Sequence, residues 1–383
     1  MARVSFTALA PALALALSSC TPATPAAEEA DAASAAATAP TAEAAPATDA
    51  GKRNVATIAE AFLSPMTPAD NIDSPASWQA PDGKTWLIAT AKATDKLVVY
   101  DGSSGQHLRD VGSAGTALGQ FDRPNGISVS DDLLWIVERD NHRVQVFSLP
   151  DFTPLAVFGA QDLRKPYGLW VDKRADGYSV YVTDSWDAGE DAQGNDLLPP
   201  LAELDKRVRQ YHVSRSGNEV KATLTASIGD TTEKGALRVV ESIWGDPAND
   251  RLLIAEEDET YASEFKVYTL AGRFTGTTFG RDVFKAQAEG VMLRTCGKDG
   301  WWITTEQGKD RSVFHLFDRH TLQPVGAFQG NTVANTDGIW MQQQATTRFP
   351  HGALYAVHDD QGVVAFDWET VAKQLALPLE CGA

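Results

Sequence analysis

The chain has 383 residues, with 51 Asp and Glu against 33 Lys and Arg, and a formal net charge of −18. That excess argues against nucleic acid and against an anionic membrane surface as partners, and it suits a cation-binding protein, although a solvated acidic surface gives the same sum. There is no Cys-x-x-Cys, His-Glu-x-x-His or Gly-x-Ser-x-Gly, and no glycine loop ahead of Lys-Ser/Thr, so the enzyme classes built on those motifs lose support.

Residues 1–20, MARVSFTALAPALALALSSC, carry Arg3, an apolar stretch from Phe6 to Leu17, and then Leu17-Ser18-Ser19-Cys20. This is the layout of an export signal, shorter than the ~20 apolar residues needed to span a bilayer. Its ending resembles the lipobox of bacterial lipoproteins, which implies lipidation of Cys20 and a place in the bacterial cell envelope. Thr21 after the cysteine favours the outer membrane in that family; an ordinary signal peptide with secretion is the alternative. In 21–50, twenty-four of thirty residues are Ala, Pro or Thr, with no Lys, Arg or large apolar residue. Such a segment cannot bury enough surface to offset the entropy of ordering, so 21–53 is expected to be a disordered tether. The remainder, 54–383, is long enough for one large all-β domain.

Within that remainder a step containing small residues recurs ahead of an apolar strand: SPASW (74–78), PNGISV (124–129), PYGLWV (166–171), ESIWGD (241–246), EGVML (289–293) and DGIWM (337–341). Each step leads to a second apolar strand (TWLIATA, LLWIVERD, SVYVTDSW, RLLIAEED, GWWITTEQ, ALYAVHDD) and then to a third. The last two intervals, Ser242 to Gly290 and Gly290 to Gly338, are both 48 residues. Short strands rich in Val, Ile, Tyr, Trp and Phe at this period read as propeller blades, so the prediction is an all-β, six-bladed β-propeller. The third unit carries an insert, DAGEDAQGNDLLPPLAEL (187–204).

In a propeller the innermost strands line a central channel. The leading residues of the six steps, Asp73, Asn125, Tyr167, Glu241, Glu289 and Asp337, are therefore expected to converge at one mouth. Carboxylates brought together from several blades repel unless they share a cation or a proton. A hard oxygen cluster favours Ca²⁺, with Mg²⁺ second because it demands stricter geometry. The acidic run in IAEEDE (254–259) ends the fourth unit's second strand. Alternation along a strand sends Glu256 and Asp258 one way and Glu257 and Glu259 the other. Glu257 is the residue expected to face the shared cation. Cys296 and Cys381 remain beyond Cys20; in an exported protein they either pair, pinning the chain end, or stay as two separate thiols.

These segments resemble the β-propeller phytases. DSPASW (73–78) is similar to that family's Asp-Asp-Pro-Ala-Ile-Trp opening, and RLLIAEEDE (251–259) to its Leu-Tyr-Ile-Ala-Glu-Glu-Asp-Glu motif. VVESIWGD precedes the latter, and AEGVML, TEQG (305–308) and NTDGIWM (335–341) follow it in the family's order. A second, local resemblance is to NHL-type repeats, in 119–147. The phytase resemblance implies calcium-dependent hydrolysis of phytate or a related phosphorylated small molecule. It implies Ca²⁺ ligands at Asp73, Glu241, Glu257, Glu289 and Asp337, with Glu256 and Asp258 as adjacent candidates and Glu241 and Glu257 in the catalytic role. Lys92, Arg139 and Tyr167 become the phosphate contacts. The chain is expected to be a monomer that, from the lipobox-like ending at Cys20, meets the membrane only through its N-terminal lipid.

The chain departs from the pattern at Ser74, at Asn335, and after the third blade's second strand, where VTDSWDAGED (182–191) offers Asp184 and Asp187 in place of a lysine. Lys309 is a substitute cation, and the insert is placed to overhang the mouth. Each departure weakens the expected hold on phosphate. The alternatives are a non-catalytic, calcium-stabilised cell-surface propeller and a lactonase-like propeller with one channel metal.

Overall fold

A computed structural model describes residues 55–379. The lipobox with Cys20, the tether and Cys381 lie outside them. Cys296 is disulfide-bonded.

Among the described residues strands are the dominant regular element, and they form six sheets. Blade one runs Ile72–Gln79, Thr85–Ala91, Lys96–Asp101 and His107–Val111, each strand antiparallel to the one before. Blades two, three and four repeat this four-stranded meander from Pro124–Ser130, Pro166–Arg174 and Ile243–Asp246. Blade five starts at Gln287–Cys296 and blade six at Ile339–Gln342. Each first strand touches the first strands of the two neighbouring blades, and the sixth touches the first, so the sheets close into a ring: a six-bladed β-propeller.

The beginning of the described chain completes the ring. Blade six receives only three strands from its own stretch of sequence, because the chain then turns into a short helix, Trp368–Gln374, capped by Asp367. Its outermost strand is Phe62–Leu63, paired antiparallel with Gly362–Asp367. Just upstream, Ala56–Thr57 adds a parallel fifth strand to blade five along Pro324–Gln329. Two adjacent blades are thus completed by residues far from them in sequence.

Burial follows from the layering. Inner and middle strands pack between blades and are almost wholly buried, as in Leu133–Glu138, whereas the outer strand His107–Val111 is largely exposed. The small residue of each step has a steric cause. A Cβ on Gly168 would lie 2.0 Å from the carbonyl oxygen of Glu241, and one on Gly126 2.5 Å from that of Tyr167. The inner strands approach so closely that adjacent blades hydrogen-bond: the N–H of Gly290 donates to the carbonyl of Asp337 at 3.1 Å, and that of Gly338 to the carbonyl of Asp73 at 3.1 Å. Thr90 and Thr183 add hydroxyl bonds to the carbonyls of Asn125 (2.6 Å) and Glu241 (3.0 Å). The leading residues are therefore held as a ring by backbone contacts, leaving their side chains for the channel.

Candidate metal centre

Strand register makes the six blades comparable residue by residue. Two positions beyond each leading residue stand Pro75, Ile127, Leu169, Ile243, Val291 and Ile339, paired with Ala89, Ile136, Val182, Ile254, Thr304 and Ala356 of the second strands. Two residues past those partners stand Ala91, Glu138, Asp184, Glu256, Glu306 and His358; one further on stand Lys92, Arg139, Ser185, Glu257, Gln307 and Asp359. Alternation along a strand sends the two sets to opposite faces.

The first set serves the fold. Glu138 accepts the N–H of Asp122 at 3.1 Å and holds Arg143 at 2.7 Å. Asp184 accepts the N–H groups of Arg164 and Lys165. Glu256 accepts those of Arg238 (3.0 Å) and Val239 (3.1 Å) and pairs with Lys266 at 2.8 Å, with both charged groups fully buried. Each of these three acids staples the loop that leads into its own blade's first strand. Glu256 therefore faces away from the channel. Asp258 forms a turn with Thr260, accepting from its N–H at 2.9 Å and its hydroxyl at 2.6 Å. Glu259 is exposed.

The second set meets the leading residues at the mouth. Glu257 accepts the N–H groups of Glu241 (3.3 Å) and Ser242 (3.1 Å) through Oε1, while its Oε2 is buried with no hydrogen-bond partner. Carboxylate oxygens of Glu241, Glu257 and Glu289 lie within 4.8 Å of one another. Across the channel, the ammonium of Lys92 sits 2.7 Å from Asp73 Oδ1 and 3.4 Å from Asp337 Oδ2. The Tyr167 hydroxyl lies 3.3 Å from Lys92 Nζ and donates to Asp73 Oδ1 at 3.2 Å. Gln307 donates its amide to Asp337 Oδ1.

The channel pocket at this mouth, about 60 Å³, is lined by Asp73, Tyr167, Glu241, Glu289 and Asp337 together with an apolar tier of Ile127, Leu169, Ile243, Val291 and Ile339, with Trp244 and Trp340 edge-on. The apolar tier places the chemistry at one mouth.

Five carboxylates confront one ammonium there, and their acidities show the crowding. Burial, followed by Asp73 and Asp337, raises Glu241 to about 8; burial and then Asp73 raise Asp337 to about 7. Burial and then Glu241 push Glu257 well above the ordinary carboxylate range, and burial followed by Glu257 and Glu241 does the same to Glu289. Burial disfavours the Lys92 ammonium, but Asp73 and Asp337 outweigh it, so its pKa is raised. A group of acids that cannot all ionise unaided, with one oxygen unpartnered, fits a hard divalent cation in donor type and in geometry. Glu241, Glu257 and Glu289 would hold it.

Of the residues singled out in the sequence, Asp73, Lys92, Tyr167, Glu241, Glu257, Glu289 and Asp337 come together at the mouth. Arg139 stands at its rim, held by Asp140 at 2.6 Å, and faces a 260 Å³ cleft shared with His142, Arg164, Lys165, Trp186 and Asp187. The blade-three counterpart of Lys92 is Ser185, which accepts the N–H of Val240 at 3.1 Å. Lys309 is bonded to Asn335 at 2.6 Å. The insert folds back as a small hairpin, with Ala188 and Leu197 bonded at 2.8 Å, and is pinned where Lys165 meets Asp187 (2.6 Å) and Asp196 (2.9 Å). Nothing in the sequence alone singles out Gln307; its signal is the shared position with Lys92 and Glu257, readable once the register is known.

Residues 121–147 match the NHL repeat family. No curated protein matches the chain by sequence. Solved structures that are similar include BBS1N in complex with ARL6DN, at 13% identity over 82% of this chain and 97% of that one, with a TM-score of 0.45. Hydrazine synthase of Kuenenia stuttgartiensis is similar at 12% identity, 85% and 82% coverage and a TM-score of 0.43. A chain of the nidogen/laminin complex is similar at 13% identity, 72% and 86% coverage and a TM-score of 0.45.

Proposed function

We propose that this chain is a calcium-dependent phosphomonoester hydrolase of the phytase type, releasing phosphate from phytate or a related organic phosphate. The observation that carries the reading is the glutamate triad with the unpartnered Glu257 Oε2, set opposite Lys92 and Tyr167 in one mouth. A cation site facing a cationic and hydroxyl wall accommodates an anion between them. Bound calcium would supply charge neutralisation and a water of lowered pKa for attack at phosphorus. Glu241, Glu257 and Glu289 hold that side. Lys92 and Tyr167, with Arg139 at the rim, receive phosphoryl oxygens, and the apolar tier beneath keeps the substrate at the surface. The protein is placed at the bacterial cell envelope as a monomer anchored through Cys20, with the outer membrane favoured and no nucleic-acid partner.

The test is phosphate release from phytate by the purified protein, with calcium and with chelator. Calcium-dependent release is expected; none across the pH range would remove the proposal. One observation favours the second reading, a calcium-stabilised propeller that binds without catalysis. Lys92 and Arg139 are both engaged by carboxylates, and Ser185 stands at the matching position of blade three. Thermal stabilisation by calcium without phosphate release would select it.

A further inference from the structure

Beside the mouth, the 260 Å³ cleft between blades two and three has its charge already balanced. It begins at Arg139, which is close enough to the mouth to be drawn on by Tyr167 and Glu241, and it reaches Lys165, two residues before Tyr167. Three cations face this space. Arg139 is paired with Asp140 at 2.6 Å. The Lys165 ammonium is held twice, by Asp187 at 2.6 Å and by Asp196 at 2.9 Å. Arg164 lies over the Trp186 ring at 3.8 Å and is the cation left without an ion pair among the described residues. Arg139, Arg164 and Lys165 against Asp140, Asp187 and Asp196 leave no positive charge over.

The two carboxylates on Lys165 come from the insert. Residues 187–204 contain Asp187, Glu190, Asp191, Asp196 and Glu203, and no Lys or Arg. They are presented by a folded turn. Asp191 accepts the N–H groups of Gln193 and Asn195, both at 2.8 Å, and the Asn195 side-chain amide at 2.9 Å, while Asp187 Oδ1 accepts the N–H of Gly189 at 3.2 Å. Glu190 and Asp196 face each other across the hairpin. A phosphate group carries about −1.5 to −2 charges near pH 7. A substrate with one phosphate sets it against Lys92 and Tyr167, and its uncharged remainder meets the cleft, where the Arg164–Trp186 surface and the donors of Arg139 receive it. A substrate with further phosphates brings one of them against Asp187 and Asp196, or must displace both from Lys165. Like charges oppose it either way.

We infer that the blade-three insert sets the substrate class: Asp187 and Asp196 occupy the ammonium that a neighbouring phosphate would need, so the mouth favours esters whose phosphate stands alone over densely phosphorylated ones. The inference deepens the proposed function and rests on its reading of the mouth as a phosphate-ester site. Phytate is then a substrate that this chain turns over less efficiently than a simple monoester.

The experiment compares kcat/KM for phytate and for glycerol 2-phosphate, at buffered free calcium below the solubility limit of the calcium salts, in the parent and in the double variant Asp187→Asn with Asp196→Asn. The double variant is expected to gain at least ~5-fold on phytate and to change less than ~2-fold on glycerol 2-phosphate, and the gain should shrink in about 1 M salt. An equal change on both esters, or none on phytate, would overturn the inference. Adding Lys165→Met to the double variant should reduce the gain, and a gain left intact would overturn the role given to the freed ammonium. Should the double variant fail to fold, Asp196→Asn alone decides in the same direction, because that side chain is 61% exposed. Should no protein of the set release phosphate from either ester, the hydrolase reading falls while titration calorimetry with the same two esters still decides the selectivity. Tighter phytate binding by the double variant, with glycerol 2-phosphate unchanged, upholds it; unchanged phytate binding or parallel shifts overturn it.

Discussion

Glu256 and Glu257 are neighbours in the chain, identical in chemistry and both buried, yet they sit in opposite kinds of surroundings. Glu256 meets an ammonium and two backbone N–H groups on the side that closes blade four, and its charge is fully answered. Glu257 meets two N–H groups and two other glutamates, and one oxygen meets nothing. Burial alone does not separate a structural acid from a functional one. The partner inventory does, because a buried charge that is answered stabilises a fold, whereas one left unanswered persists only if something else answers it.

The sharpest way to break that contrast is to neutralise each member. Glu256→Gln strands the Lys266 ammonium in the core and should cost about 3–5 kcal/mol in denaturant unfolding, with calcium binding by the folded protein unchanged. Glu257→Gln should do the reverse. Calcium affinity measured by titration calorimetry should fall at least ~10-fold, equivalent to about 1.4 kcal/mol, while the chelated protein keeps its stability. If the two phenotypes changed places, the assignment of faces would be wrong.

A smaller effect should appear with pH. In the folded chain burial and neighbouring acids push Glu241 up to about 8 and Asp337 up to about 7, against ordinary values of 4.5 and 3.8. Because the folded state holds these protons more tightly than the unfolded one, their contribution to stability is complete below about 4 and is lost as pH rises toward 8. The melting temperature of chelated protein should therefore fall across that window, and calcium should abolish the fall. A flat profile without calcium would show that the acids are already compensated. The least sensitive positions complete the run: Asp258→Ala should cost up to about 1 kcal/mol through its lost turn bonds, and Glu259→Gln should stay within about 0.5 kcal/mol. Neither should move calcium affinity.

Much of this contrast is legible in IAEEDE itself. Period-two alternation separates Glu256 from Glu257 before any coordinates are known, and the blade repeat places Glu241 beside Glu257. Asp184 shows where such reading stops. In sequence it stands where a lysine of the resembled family is missing and looks like an acid added to the site. In the fold it belongs with Glu138 and Glu256 as a buried staple, and the true counterpart of Lys92 is Ser185. A shift of one residue along a strand exchanges the channel face for the blade interior, and only the ladder pairing tells which applies.

The sequence by itself determined the number of blades, the small residue at each inner step and the six leading residues, because each is a local pattern repeated at a regular interval. Tertiary structure alone decided that Phe62–Leu63 completes blade six, that three of the acids form one cluster, and that Lys92 is held by the other two. Lys92 and Asp337 are 245 residues apart and meet only because the ring closes. Distances across a channel are set by that closure, and no window of the chain contains them.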